Sequence, residues 1–361
     1  MLHSDNNDSA AVANRERARR ALAGLPRVEL AIAPTPLEPA PRLSARLDGP
    51  PILVKRDDLT GLALGGNKVR MLEYVLGKAV ATGSNTVIGG SAAQSNYSRV
   101  LAGACARLGL ECHLVLRRIR GAHDDAPQGS LLLDLLFGAH VHLVDDDRDL
   151  QVETLVALGE RLERAGRRVY RALQASEVDK TLHALAYVEA AFELLDQVDA
   201  LGADVARIYI CSLDTSHAGL ILGLRAAGSP IEVIGVSPYE GPFWTDRTAE
   251  DEVARLANET AEILGLDTRI AAAEVTTTFD FAGRYGELTE NGLRALRLFG
   301  AAEGLVLDPV YTMKAAAAMI AAVEGTGDGR PVVFWHTGGT PALFAYAGEL
   351  GVGSTPRPLG E

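Results

Sequence analysis

Two rhythms alternate along this chain. Short apolar runs rich in aliphatic and β-branched residues occur at 52–55, 86–90, 112–116, 140–144, 207–212, 231–236 and 332–335. Their length and near-continuous hydrophobicity predict strands buried on both faces, as in a parallel sheet. The stretch Leu305-Val306-Leu307 is expected to behave in the same way, ending in the loop Asp308-Pro309-Val310-Tyr311-Thr312. Between the runs the spacing changes to that of helices. Val69, Leu72, Val75, Leu76 and Ala79 predict a helix from about Asn67 to Ala81, and Val100, Leu101, Ala104 and Leu108 predict another. Further helical patterns cover 130–137, 151–164, 182–196 and 244–266. The proline-spaced segment 33–39 is expected to be extended, because proline pushes its predecessor out of the helical region. Residues 1–25, alanine-rich and crowded with Arg15, Arg17, Arg19 and Arg20, predict a flexible leader, frayed or loosely helical.

Strand and helix in alternation place the chain in the α/β class, with open, mostly parallel sheets flanked by helices. At 361 residues it exceeds one small domain, and no low-complexity linker divides it, so two lobes sharing crossing segments are expected. Composition narrows the partners. With 47 acidic against 35 basic side chains the formal charge is -12, which disfavours nucleic acid. No apolar stretch reaches the roughly 18 residues of a membrane span, and the first twenty residues lack the apolar centre of a signal peptide. Cys105, Cys112 and Cys211 are widely spaced and odd in number, which fits a reducing cytoplasm and no disulfide framework. No metal site is expected: the acidic turn Asp145-Asp146-Asp147 lacks the spaced ligands and glycine of a calcium loop.

Candidate chemistry gathers where predicted strands give way to helices, the address at which open α/β sheets bind ligands. Lys68 follows the diglycine Gly65-Gly66 at the mouth of a helix, where backbone N–H groups and the helix dipole disfavour a second positive charge. Gln94, Ser95 and Asn96 open the next helix, and Ser95 or Asn96 could equally be its N-cap. Ser212-Leu213-Asp214-Thr215-Ser216 brings hydroxyls to another helix start, but Asp214 would confront a bound phosphate with like charge. Tyr311 and His336-Thr337-Gly338-Gly339 occupy the last two such loops.

These blocks resemble one family in order. Lys55-Arg56-Asp57-Asp58-Leu59-Thr60-Gly61, Gly65-Gly66-Asn67-Lys68, Gln94-Ser95-Asn96, Asp308-Pro309-Val310-Tyr311 and His336-Thr337-Gly338-Gly339 with Pro341-Ala342-Leu343 are similar to the pyridoxal-phosphate enzymes of the tryptophan-synthase β-like fold. The branch is that of D-cysteine desulfhydrase and 1-aminocyclopropane-1-carboxylate deaminase, and the likeness spans nearly the whole chain after residue 30. It implies pyridoxal 5'-phosphate as cofactor, with Lys68 as the Schiff-base lysine. It also implies Asn96 at the ring hydroxyl, and Ser212, Thr215, Ser216, Thr337 and Gly338 as further cofactor contacts. Ser95, Tyr311 and, in a shortened motif, Tyr285 would be catalytic, and Gln94, Ser95 and Tyr97 would face the substrate.

The implied lobes are a large cofactor-binding domain, 26–66 with 179–361, and a small domain, 67–178. The implied activity is α,β-elimination from a small amino acid, releasing ammonia and an oxo acid, by a homodimer. Alternatives are β-substitution, cyclisation or ring opening on a specialised intermediate, and a non-catalytic ligand-binding homologue. Three departures stand out. Ser212 to Ser216 replaces a glycine-rich phosphate loop, Ala175-Ser176-Glu177-Val178-Asp179-Lys180 replaces a Gly-Gly-Ser-Asn type loop, and Thr312 stands where cyclopropane deaminases carry glutamate.

Overall fold

A computed structural model describes residues 2–119, 127–173, 177–241 and 246–350, so Ala175 and Ser176 of the departing loop lie outside the described residues. Six strands form the larger sheet, in the order β1 (Leu37–Pro39), β2 (Ile52–Lys55), β10 (Val332–Trp335), β7 (Arg207–Ile210), β8 (Glu232–Val236) and β9 (Thr276–Thr278). Only β1 is antiparallel to its neighbour. The smaller sheet is parallel throughout, in the order β5 (His140–Val144), β4 (Glu111–Arg117), β3 (Thr86–Ala92) and β6 (Val169–Arg171). Parallel strands need crossovers, and helices supply them. In chain order these are α1 (Leu2–Ala23), α2 (Pro41–Leu47), α3 (Asn67–Ala81), α4 (Asn96–Leu108), α5 (Gly129–Leu136) and α6 (Arg148–Arg164). They continue with α7 (Glu177–Leu201), α8 (Thr215–Ala226), α9 (Ala249–Ile263), α10 (Glu290–Glu303), α11 (Thr312–Val323) and α12 (Pro341–Ala345). None of the described helices is long and apolar enough to cross a membrane.

Helix α7 packs against α8 at unusually short range. A Cβ on Gly219 would lie 2.2 Å from the Ala184 carbonyl oxygen, so only glycine permits the approach. Two residues before Gly219, His217 donates from Nε2 to the Val233 carbonyl at 3.2 Å, tying the start of α8 to β8.

The turn after β2 carries a buried carboxylate. Asp57 Oδ1 accepts from Thr35 Oγ1 at 2.9 Å and Arg70 Nε at 3.1 Å, while Oδ2 accepts from Tyr187 and Trp335, each at 2.8 Å. Burial would raise its pKa, but Arg70, Lys55 and the two aromatic donors outweigh that and hold the carboxyl below its ordinary range. Arg70 also donates twice to Glu193, which pairs in turn with Lys55. Two carboxylates and two cations thus balance inside the protein, joining β2, α3, α7 and β10.

Several expectations need correction. The leader is helical, and its second half is docked rather than flexible: Ala18 and Leu22 enter the core with α7 and α8, and Arg15 and Arg19 pair with Asp196. Leu305-Val306-Leu307 forms no strand. The Val306 carbonyl accepts from His336 Nε2 at 3.1 Å and from Thr340 Oγ1, so side chains take the place of a sheet partner. The charged stretch Arg56-Asp57-Asp58 after β2 carries Asp57 fully buried. The three-residue edge strands β6 and β9 are too short to have left a periodic signal.

Asp57→Asn replaces an acceptor-only group with one that presents donors to donors; the urea midpoint should fall by the equivalent of about 3–5 kcal/mol. Burial lowers the His217 pKa from 6.5 to about 4. Above pH 6.5 the ring is neutral in both states; as pH falls towards 4 the unfolded chain takes up a proton that the folded chain refuses, so stability is lost across that window. In urea titrations from pH 7 down to 4, His217→Gln should flatten that part of the decline.

Candidate active site

Where the strands of both sheets end, a cavity of about 830 Å³ opens. Its walls include Lys68, Asn96, Ser212, Tyr285, Tyr311 and Thr337, six side chains singled out in the sequence and drawn from distant segments. The start of α3 is set by close backbone contact. Gly65 and Gly66 have φ of +69° and +116°, and Thr60 Oγ1 bonds both the N–H and the carbonyl of Gly66, at 2.8 and 2.9 Å. Asn67 N–H donates to the Thr337 carbonyl at 2.9 Å. A Cβ on Gly338 would fall 2.5 Å from Gly66 Cα, so the segments following β10 and preceding α3 lie side by side only as glycines.

Within the cavity, the Lys68 amine lies 3.6 Å from Met71 Sδ. Burial lowers its pKa, with Asp214 and Cys211 opposing the shift. Desolvation therefore favours the neutral amine. Tyr285 and Tyr311 share a hydrogen bond of 2.7 Å, with their rings edge to face. Burial pushes both phenols up, Tyr285 to about 12. Asp308 fixes Tyr311 from below: its carboxylate accepts the N–H groups of Val310, Tyr311 and Thr312 at 2.7–2.9 Å, and the Thr312 hydroxyl at 2.7 Å.

The remaining sequence candidates lie behind this wall. Ser95 is the N-cap of α4, its Oγ accepting from Tyr97 N at 3.1 Å and Ser98 N at 3.4 Å. The Gln94 amide bonds the Gln128 carbonyl and Ser130 N–H, holding the start of α5. Tyr97 is buried among α3 and α4 side chains, edge-on to His183. Neither Gln94 nor Tyr97 borders the cavity, in contrast to the substrate contact expected of them; the helical spacing of Tyr97 with Val100 and Leu101 turns its ring into the core. Thr215, Ser216 and Gly338 are likewise not on the cavity surface; Ser216 Oγ accepts from Asn67 Nδ2 at 3.4 Å.

Other residues were missed in the sequence. Arg117, Arg148 and Arg284 border the cavity with Asp146 and Glu287. Arg117 ends β4, so the strand-end rule applied to every strand would have found it. Asp308 was visible in a motif, but its role depends on helix geometry.

The residues suit pyridoxal phosphate at the ring end. Lys68 supplies an amine inclined to be neutral, and Gly339, at φ +99°, leaves the space beside Asn96 that a Cβ would fill at 2.8 Å from Nδ2. At the other end, the N-terminus of α8 favours an anion. Asp214 sits at its N-cap position without capping it; instead Oδ1 accepts from Ser212 Oγ at 3.2 Å. Its charge works against a phosphate and supports the protonated form of Lys68.

Comparison with known proteins identifies the family. The family model described as pyridoxal-phosphate dependent enzyme matches residues 28–338. A D-cysteine desulfhydrase of Salmonella choleraesuis (strain SC-B67) is 38% identical over 333 residues, 90% of this chain and 97% of that protein. One from Klebsiella pneumoniae (strain 342) is 38% identical over 336 residues, 91% of this chain and 98% of its own. Among solved structures, an ACC deaminase homologue superposes with a TM-score of 0.81 at 31% identity, covering 92% of this chain and 98% of the other. Escherichia coli diaminopropionate ammonia lyase in its apo form, at 16% identity and TM-score 0.61, has the same fold, covering 95% of this chain and 93% of its own. The chain belongs to the pyridoxal-phosphate-dependent enzymes.

Proposed function

We propose that the protein catalyses α,β-elimination on a small amino acid of the D-cysteine type, yielding sulfide or a thiol, ammonia and an oxo acid. The observation that carries this reading is the shared cavity: an amine whose protonated form is penalised, Lys68, opens on the same space as the hydrogen-bonded phenols Tyr285 and Tyr311. When bound, pyridoxal phosphate withdraws electrons from the substrate α-carbon. Lys68 would anchor the cofactor covalently, and its amine, when neutral, can accept the α-proton at Nζ. Tyr311, held by Asp308 and backed by Tyr285, stays protonated at neutral pH and can give a proton to a departing sulfur. The β-substituent leaves with its bonding pair, and water replaces nitrogen on the α-carbon, so amino acid and water become oxo acid, ammonia and thiol.

Asn96 and Thr337 line the wall beside Lys68 and would hold the cofactor ring; Ser212 and the backbone N–H groups at the start of α8 would hold its phosphate, with the Thr215 and Ser216 side chains behind the cavity surface. Ser95 supports this wall as the cap of α4, with its own O–H still available to donate. Thr312 spends its hydroxyl on Asp308, which leaves no acid there for ring opening of a cyclopropane and favours elimination. The small lobe is taken as 67–178, since every strand of the smaller sheet lies within 86–171, and the large lobe as 26–66 with 179–361. Three buried free thiols support a reducing, cytoplasmic setting. A closed homodimer is the assembly favoured by the general preference of soluble enzymes.

A panel of D- and L-amino acids, assayed for ammonia, oxo acid and sulfide, tests the reading. D-Cysteine should give the three in equal amounts, with L-cysteine slower. Thiol exchange without ammonia would replace elimination by β-substitution, and spectral shifts without any product would make the chain a ligand-binding homologue.

A further inference from the structure

Away from the active-site cavity, the smaller sheet gathers ligand-type side chains at its β5 edge. Glu111 and His113 stand two apart on β4, His140 and His142 two apart on β5, and the pairing register sets His113 opposite His140. Alternate residues of a strand share a face, so all four project from one side of the sheet. Glu111 Oε1 is 3.0 Å from His113 Nε2 and 3.9 Å from His140 Nε2. The ligand atoms of these three residues all lie within 4.8 Å of one another. His113 and His140 stack with ring centroids 4.5 Å apart.

We propose that Glu111, His113 and His140 form a binding site for a divalent transition-metal ion of the zinc class. Tetrahedral zinc with bonds of about 2.0–2.1 Å separates its ligand atoms by about 3.3 Å. The observed 3.0 and 3.9 Å bracket that value, all three separations are within 4.8 Å, and the exposed His140 ring would turn out of its stack on His113 to aim its nitrogen at the ion. Imidazole with carboxylate is a donor set suited to zinc, copper or nickel, and too rich in nitrogen for magnesium or calcium.

The surroundings are built for the same task. A histidine that binds metal through one nitrogen generally donates its other N–H to a neighbour, which fixes the tautomer. His142 Nε2 lies 3.4 Å from His113 Nδ1 and can accept that proton. Arg167 binds the second carboxylate oxygen, Glu111 Oε2, at 3.0 Å, orienting the group while leaving Oε1 towards the histidines. Arg161 adds positive charge near His113 and His142, which limits affinity. Three protein ligands on a half-exposed edge leave the fourth position to water. A bound ion would clip the edge strand β5 to β4, which no spacing in the sequence announced because the ligands are divided between two strands.

Isothermal titration of Zn²⁺ into untagged, chelator-treated holoenzyme tests the site, with Co²⁺ absorption as a second readout. One Zn²⁺ per chain should bind, raising the thermal midpoint. His140→Asn, at an exposed position, and Glu111→Gln should each weaken binding at least about tenfold, and His142→Phe by about tenfold through loss of the outer partner. Saturating Co²⁺ should give visible bands of a nitrogen and oxygen site that His140→Asn abolishes. Absence of saturable Zn²⁺ binding, or a titration unchanged in His140→Asn, would overturn the proposal.

Discussion

A single buried carboxylate holds the framework together. Asp57 takes four donors from four parts of the chain, and the pairing of Arg70, Glu193 and Lys55 around it keeps the interior neutral. A buried ion cluster of this kind contributes little to stability compared with an apolar core, but removing one member leaves an uncompensated charge. Its value here is positional. Arg70 lies two residues beyond Lys68, Trp335 ends β10 just before the Thr337-Gly338 loop, and Tyr187 comes from α7. Fixing these three fixes the floor of the cavity.

Above that floor, each reactive side chain is set by backbone contacts rather than by its immediate neighbours. The glycine contact between Gly66 and Gly338 places Lys68, and the Asp308 carboxylate places Tyr311 by gathering the N–H groups at the start of α11. Electrostatics then divides the cavity. Burial inclines Lys68 towards the neutral amine, and the charge of Asp214 opposes that shift. At the cavity wall Arg117 pairs with Asp146 at 2.9 Å and Arg284 with Glu287 at 3.6 Å, so the basic and acidic side chains there largely offset one another.

Much of this was legible in the sequence, for a physical reason. Buried parallel strands and amphipathic helices leave periodic signals, so the elements bearing Lys68, Asn96 and Ser212 could be placed from pattern, whereas the apolar run before Tyr311 gave the same signal and forms no strand. What the pattern missed depends on the tertiary environment. Asp57 reads as a charged turn because nothing local reveals that Trp335 and Tyr187 come to meet it. Ser95 could be a cap or a substrate contact, and only the observed bonds to Tyr97 and Ser98 assign its oxygen to the helix. Tyr97 follows the reactive-looking Ser-Asn pair, yet the helical turn rotates it into the core. The apolar residues of the leader are mostly small alanines set among arginines, too weak a stripe to foretell the docking of Ala18 and Leu22.

The account rests on Lys68 as the covalent anchor. Incubation with excess pyridoxal phosphate, reduction with borohydride, proteolysis and mass spectrometry measure this directly. A pyridoxyl adduct on the Lys68 peptide, absent from Lys68→Ala, is the predicted result. No adduct, or an adduct on Lys180 at the cavity wall instead, would contradict it.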